Sequence, residues 1–417
     1  MEVPFGRGKV SLHLPSGWTV DVLRPNAVSP AADPAGEVTR SLENSLGGKG
    51  LEGFRGIKSV AIAVSDETRP VPNSLLLPIL LNKLGEIDVP RSSIRILIAS
   101  GLHPPLPSSR FLNILPAEVL RDYPVSAHDA KARDLVFLGK TSRETPVYVQ
   151  PLFPQADLRI AVGLIDPHQF VGYTGGVKCA AVGLAGAQTI EHNHSFLFHP
   201  QAVVGEIQNN PVRQDLEEVG KMMGVNFAVN VVLDEANRFL KAYCGEPGEV
   251  EKIGSEFCRS VYEIPVSREY DVVIASPGGY PKDINLYQAQ KGLAHATPLV
   301  RRGGDIILLA ECPDGHGEEV FYETMKRFSS PEEIVDKFPQ EPFKMGAHKA
   351  FLWARSLVKA EVHMCSAMEK NLSRGFMVTP TRRLEEVFAK LKKKYPDPPA
   401  IAVIPKANST YARVQKS

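Results

Sequence analysis

Polar residues with chemical capacity gather in four short stretches of this chain, each following an apolar run. The first, S-D-E-T-R-P, sets Asp66, Glu67, Thr68 and Arg69 side by side. That supplies an acid, a hydroxyl and a guanidinium that can fork onto a carboxylate or phosphate. An Asp-capped turn before a helix would use the same residues. The second, A-S-G-L-H-P-P, places His103 on a loop framed by glycine and proline. The third, H-Q-F-V-G-Y-T-G-G-V-K-C, contains His168, then Thr174, Gly175 and Gly176 as a backbone cradle, then Lys178. Glycines allow close approach of the backbone to a ligand. This is not a nucleotide P-loop, because Val177 precedes the lysine and Cys179 follows it. His192, His194 and His199 lie downstream. His192 and His194 are two positions apart and cannot share a helix face, so a two-histidine zinc helix fails. One of them can still bind a metal alone or cap a helix. The fourth stretch, P-G-G-Y-P-K-D-I-N-L-Y-Q-A-Q-K, starts a helix at Asn285 and sets Tyr287 and Lys291 on one face, with Gln288 adjacent. A solvated helix face is the plain alternative there. Histidine bases, cationic anchors and a glycine-rich cradle together suit proton transfer on a small anionic substrate.

These stretches need a scaffold that brings them to one edge. Apolar strand-like runs at 58–66, 93–101 and 157–166 alternate with helical patterns such as 74–86. Asp66, His103 and His168 each fall at or just past the end of such a run, which is where open parallel sheets bind ligands. The pattern restarts near 265, with strands at 270–279, 304–312, 360–367 and 399–407 and helices at 285–300 and 382–395. The reading is α/β: two α/β domains with largely parallel sheets, 1–265 and 266–417, and an active-site cleft between them that closes about a hinge near 260–270. Residues 1–25 read as two short strands joined by the Pro-Ser-Gly turn at 15–17, 38–53 as a helix, and 246–266 as a long helix and connector.

Bulk properties exclude several classes. The 417 residues carry a formal net charge of +1, which offers no pull on a polyphosphate backbone, so nucleic acid is not an expected partner. Five scattered cysteines without a CxxC pair fit reduced thiols rather than a disulfide framework. No run is long enough to cross a bilayer, and the N-terminus has no signal-peptide core. A cytoplasmic, soluble protein without membrane association is expected.

The motifs D-x-T-R-P, G-x-H, P-H-x-F-x-G-[YF]-[ST]-G-G-x-K, N-H-S and G-G-x-P-x-D-x-N-L-Y-Q-A-x-K, with the later A-E-C-P-D-G-H-G, G-A-H-K-A and A-V-I-P-K-A-N-S-T, together resemble the lactate racemase family. The resemblance spans roughly 5 to 415 and implies a racemase or epimerase that inverts C2 of a small 2-hydroxy acid. It implies a nickel-pincer nucleotide, a Ni(II)-pyridinium bisthiocarboxylate mononucleotide attached covalently at Lys178, made by accessory cofactor-biosynthesis proteins. His194 then corresponds to the protein ligand of nickel, and His103 and His168 to the acid/bases of reversible hydride transfer. Asp66, Glu67, Thr68 and Arg69 match the turn that binds cofactor and substrate, and Tyr287, Gln288 and Lys291 match the substrate-holding residues. His192 has no role in this scheme. Pro104-Pro105 and Val177 depart from the usual pattern, and the first bears on which 2-hydroxy acid fits. The residues taken alone leave two other readings: a nucleotide- or anion-binding α/β protein without redox chemistry, and a metal-dependent hydrolase using His103, His168 and His194.

Overall fold

Alternating strands and helices give two compact α/β units in a computed structural model that describes residues 1–415. One unit is the continuous segment 27–261; the other joins 1–26 to 262 onward. In the first, six strands lie in the order Phe239–Gly245, Phe227–Leu233, Leu158–Leu164, Val60–Ser65, Ile94–Ala99, Val125–Ala127. All neighbours are parallel except the Phe239–Gly245 edge. Val60 to Val64 are all buried, which is why this strand reads as an unbroken apolar run rather than an alternating one. The chain builds outward from Val60–Ser65 through Ile94–Ala99 to one edge. It then returns to lay Leu158–Leu164 on the other flank. The order of strands therefore reverses between Val60–Ser65 and Leu158–Leu164, and the crevice at their carboxyl ends is where such sheets take ligands.

The second unit repeats this logic. Its six strands, Thr379–Thr381, Ala360–Cys365, Val300–Leu309, Tyr270–Ala275, Ile401–Ile404 and Val20–Val22, are all parallel. The reversal falls between Tyr270–Ala275 and Ile401–Ile404, just ahead of the Gly-Gly exit and the helix Leu286–Ala296.

The N-terminus departs from expectation in two ways. The hairpin is Glu2–Phe5 with Gly8–Ser11 and turns at Gly6, not at 15–17. Gly6 has φ 54, and a Cβ there would lie 1.8 Å from Glu311 Oε2. The turn is thus set by a left-handed residue pressed against its neighbour. In addition, residues 1–26 group with 262 onward rather than with 27–261. Val20–Val22 completes the second sheet beside Ile401–Ile404, the Gly6 N–H donates to Asp283 Oδ2 (2.7 Å), and Ser276 Oγ donates to Pro4 O (2.6 Å). Elsewhere, the expected 38–53 helix runs Pro34–Glu43, capped by Asp33. The 246–266 helix is Pro247–Tyr262 followed by a strand, Glu263–Val266, paired with Tyr411–Val414. Among the described residues no helix is long and apolar enough to cross a membrane.

Candidate functional site

Three neighbouring strands of the first unit deliver the predicted polar residues to one edge. Asp66 follows Val60–Ser65, His103 follows Ile94–Ala99, and His168 follows Leu158–Leu164. Asp66 is buried and holds two partners. Its Oδ1 accepts from Thr68 Oγ1 (2.5 Å) and Thr68 N–H (3.1 Å), and its Oδ2 lies 2.7 Å from His103 Nδ1. Burial alone would raise the Asp66 pKa. The bonds from His103 and Thr68 outweigh it and hold the carboxyl below its ordinary value. An ionised Asp66 accepts a hydrogen bond from His103 Nδ1–H, so in the neutral ring Nε2 is the nitrogen with the free lone pair, and the ring is exposed. Glu67 is tied to Arg110 and to Asn113 Nδ2 (3.4 Å), and so braces the turn from outside.

His168 sits in a two-residue ladder, Pro167–His168 against Gly172–Tyr173. Its Nδ1 accepts the Val171 N–H at 3.3 Å, so the neutral ring carries its proton on Nε2. The Phe170 ring stands edge-on between two imidazoles, 4.6 Å from His168 and 5.3 Å from His194, centre to centre. The H-x-F spacing therefore relates the two histidines through one buried phenyl ring.

The Thr-Gly-Gly segment serves Lys178 more than it serves as an open cradle. Thr174 Oγ1 donates to Leu164 O (2.8 Å) and accepts the Asp166 N–H (2.9 Å), closing the loop on itself. Gly175 and Gly176 have φ 100 and 57, and the Gly176 N–H is already taken by Asn230 Oδ1 at 2.7 Å. This turn launches the helix Lys178–Gly183, whose small residues let it lie close against the sheet: a Cβ on Gly183 would come within 2.4 Å of Ala99 Cβ. Val177, the residue that breaks the P-loop pattern, packs against Gly220. A Cβ on Gly176 would meet Arg213 Nη2 at 2.9 Å and Pro247 O at 3.0 Å. Gly176→Ala is therefore expected to lower stability by about 1–3 kcal/mol, read as a drop in thermal midpoint, while Gly48→Ala, with φ 117 but open space, should cost less.

Lys178 is half-buried, and burial is the largest cause that brings its pKa down to about 7; the positive charges of Arg69 and Arg213 push the same way. The amine is thus substantially unprotonated near neutral pH. His194, also half-buried, is lowered to about 3, by burial first and then by the Lys178 charge, so it is a neutral imidazole across the ordinary pH range. His192 lies on another face of the helix Ala187–Ser195. Its Nδ1 meets Thr145 Oγ1 at 2.8 Å, in a network where Thr141, Thr145 and Asn193 all donate to Asp215. It ties that helix to Thr145, which in turn bonds Asp215 of Pro211–Met222, and this accounts for the histidine that the motifs left over. His199 accepts the Gln201 N–H in an exposed turn.

Two contributors carry no motif. Arg213 is 1% exposed; its Nη1 donates to Tyr173 O (3.2 Å) beneath the glycine turn, and Glu217 and Glu251 balance its charge. Asn230, fully buried in Phe227–Leu233, holds the Gly176 N–H. A lone asparagine inside the apolar run F-A-V-N-V-V-L was the available signal for the second.

In the second unit, Asn285 Oδ1 caps Leu286–Ala296 through the Gln288 N–H (3.0 Å), as its position predicts. Gly317 of P-D-G-H-G fits against that cap, where a Cβ would lie 2.3 Å from Asn285 Cγ. Tyr287, Gln288 and Lys291 are half-buried on this helix, and Lys291 Nζ donates to Gln288 Oε1 at 3.2 Å. One group of three described residues has metal-ligand spacing, Asp305, Glu361 and His363. Asp305 there already faces Lys394 Nζ (2.8 Å), Tyr395 Oη (2.5 Å) and His363 Nε2 (3.0 Å), as a buried ion network. His103, His168 and His194 form no such group among the described residues, so the hydrolase reading gains no support.

The lactate racemase N-terminal domain family matches residues 5–205, and the lactate racemase C-terminal domain family matches 266–411. The lactate racemase of Thermoanaerobacterium thermosaccharolyticum is 31% identical over 424 residues, 99% of each chain. That of Lactiplantibacillus plantarum is 31% identical over 376 residues, 88% of each. The structure of the T. thermosaccharolyticum lactate racemase apoprotein superposes with a TM-score of 0.92 at 30% identity, covering 99% of both chains. A Thermotoga maritima protein at 16% identity and TM-score 0.64 shares the fold. With both family domains matched in order and full-length relatives above 30% identity, this chain belongs to the lactate racemase family.

Proposed function

We propose that this protein is a racemase of lactate or a closely related small 2-hydroxy acid, working with a nickel-pincer nucleotide tethered at Lys178. The observation that supports this reading best is the pairing of an amine held near neutrality with a neutral imidazole in one crevice. An amine at about pKa 7 is nucleophilic enough to be acylated at neutral pH, and a neutral imidazole is the form that binds a metal. Lys178 and His194 therefore fit the group, with Asp66, Glu67, Thr68, Arg69, Thr174, Gly175 and Gly176 shaping the turns on either side. When bound, that group supplies an electrophilic hydride acceptor, which side chains cannot provide.

The proton chemistry belongs to the chain. His103, held by Asp66, presents an unprotonated Nε2 that takes the hydroxyl proton of one enantiomer. His168, with Nδ1 occupied by the Val171 N–H, presents Nε2–H toward the oxygen of the planar keto acid. Acting as a base at Nε2 requires His168 to give up that 3.3 Å bond, a small cost for a long contact. Arg69 is the proposed partner of the substrate carboxylate, and Tyr287, Gln288 and Lys291 are the proposed substrate-binding residues. Accessory proteins make and load the nucleotide.

Asp66→Asn is the test of the orienting role. The amide carries no negative charge to stabilise a protonated His103, so kcat should fall about 10- to 1000-fold with KM little changed. Equal loss in both parameters would instead make Asp66 a binding residue. The reading as a whole is tested by incubating loaded protein with single-enantiomer lactate. Appearance of the opposite enantiomer supports it, and loaded protein that racemises no 2-hydroxy acid overturns it.

A further inference from the structure

Lys349 belongs to the G-A-H-K-A segment, at the second position of the helix His348–Lys359. It is 2% exposed. Its Nζ donates to Gln290 Oε1 at 2.7 Å and lies 5.0 Å from the centre of the Tyr287 ring. Gln290 is itself fully buried, and both partners lie on Leu286–Ala296. Burial drives the Lys349 pKa well below its ordinary value, and the one charge that acts on it is another cation, Lys291. A helix N-terminus also disfavours a cation.

This is an expensive way to fill a core position, since methionine would pack there without desolvating an amine. What lysine adds is a donor directed at Gln290 and a seat beneath Tyr287. Gln290 follows Tyr287 by three residues and adjoins Lys291, so a fixed Gln290 fixes the helix face that carries both. The Lys291 head group turns toward Gln288, which it contacts at 3.2 Å. We infer that Lys349 is a positioning residue for substrate binding: through Gln290 and the Tyr287 ring it sets how Tyr287, Gln288 and Lys291 are presented. The inference rests on the substrate-binding role proposed for that face.

Lys349→Met in the loaded enzyme tests it. The expected result is a KM for the 2-hydroxy acid raised about tenfold with kcat within about threefold, and a thermal midpoint no lower than wild type. Gln290→Leu should give the same split, and the double variant should be no worse than the poorer single, because the two act through one bond. If Lys349→Met does not fold, Gln290→Leu carries the test alone. An unchanged KM in a folded variant overturns the inference, as does a kcat loss at constant KM, which would place Lys349 at the reacting atoms. Wild type that racemises no 2-hydroxy acid defeats the underlying reading as well. Active wild type with indistinguishable variants defeats only this inference.

Discussion

Replacing Lys178 by methionine should abolish racemisation, by roughly 10,000-fold or more, and at the same time stabilise the unloaded protein. The first effect follows from losing the only proposed tether. The second follows from proton linkage. The Lys178 pKa is about 7 in the folded chain and 10.5 in its ordinary state. Between those values the unfolded chain binds a proton that the folded chain does not, so stability rises with pH across this window. Below about pH 7 the full penalty of burying the amine applies. Methionine removes it, a gain on the order of a few kcal/mol near pH 7 that fades as pH approaches the ordinary lysine value. Thermal midpoints of wild type and variant, measured from pH 6 to 10, check this. Curves that stay parallel across the range would show that Lys178 is not held near neutrality.

The two acid/base variants should fail in opposite directions. His103→Gln and His168→Gln are each expected to lower racemisation by about 100- to 10,000-fold, because both rings are needed for a complete inversion. The half-reactions differ. A ring on one face takes the hydroxyl proton from one enantiomer only. Each variant should therefore still form the 2-keto acid from one enantiomer in a single turnover and fail with the other, and the surviving enantiomer should switch between the variants. Keto acid trapped from each pure enantiomer reads this out directly. Equal loss with both enantiomers in both variants would mean that the histidines do not act one per face.

The architecture was legible because buried parallel strands announce themselves. Val60–Ser65 and Ile401–Ile404 are unbroken apolar runs, and their exits carry the polar residues that a switch point presents. The N-terminus was not legible. Pro15-Ser16-Gly17 looks like a hairpin turn, but the left-handed Gly6 makes the hairpin, and Val20–Val22 finds its partner nearly four hundred residues away. Long-range pairing of a short strand leaves no local pattern. In the site, residue types and spacing pointed to His103, His168, Lys178 and the Tyr287–Lys291 face. They did not show that Asp66 holds His103, that Thr174 and Gly176 spend their hydrogen bonds on Leu164, Asp166 and Asn230, or that Arg213 lies beneath the turn. The bonds of Asp66, Gly176 and Arg213 join segments tens of residues apart. His192 and His194 look equivalent in sequence; the helix sends one to Thr145 and the other toward Phe170.

The most direct measurement is intact mass and metal content of the full chain coexpressed with the cofactor-making proteins, followed by peptide mapping. The expected result is a single covalent adduct on the peptide containing Lys178, about one nickel per chain, and loss of nickel but not of the adduct in His194→Ala. Unmodified Lys178 and no bound nickel in a preparation that still racemises a 2-hydroxy acid would contradict it.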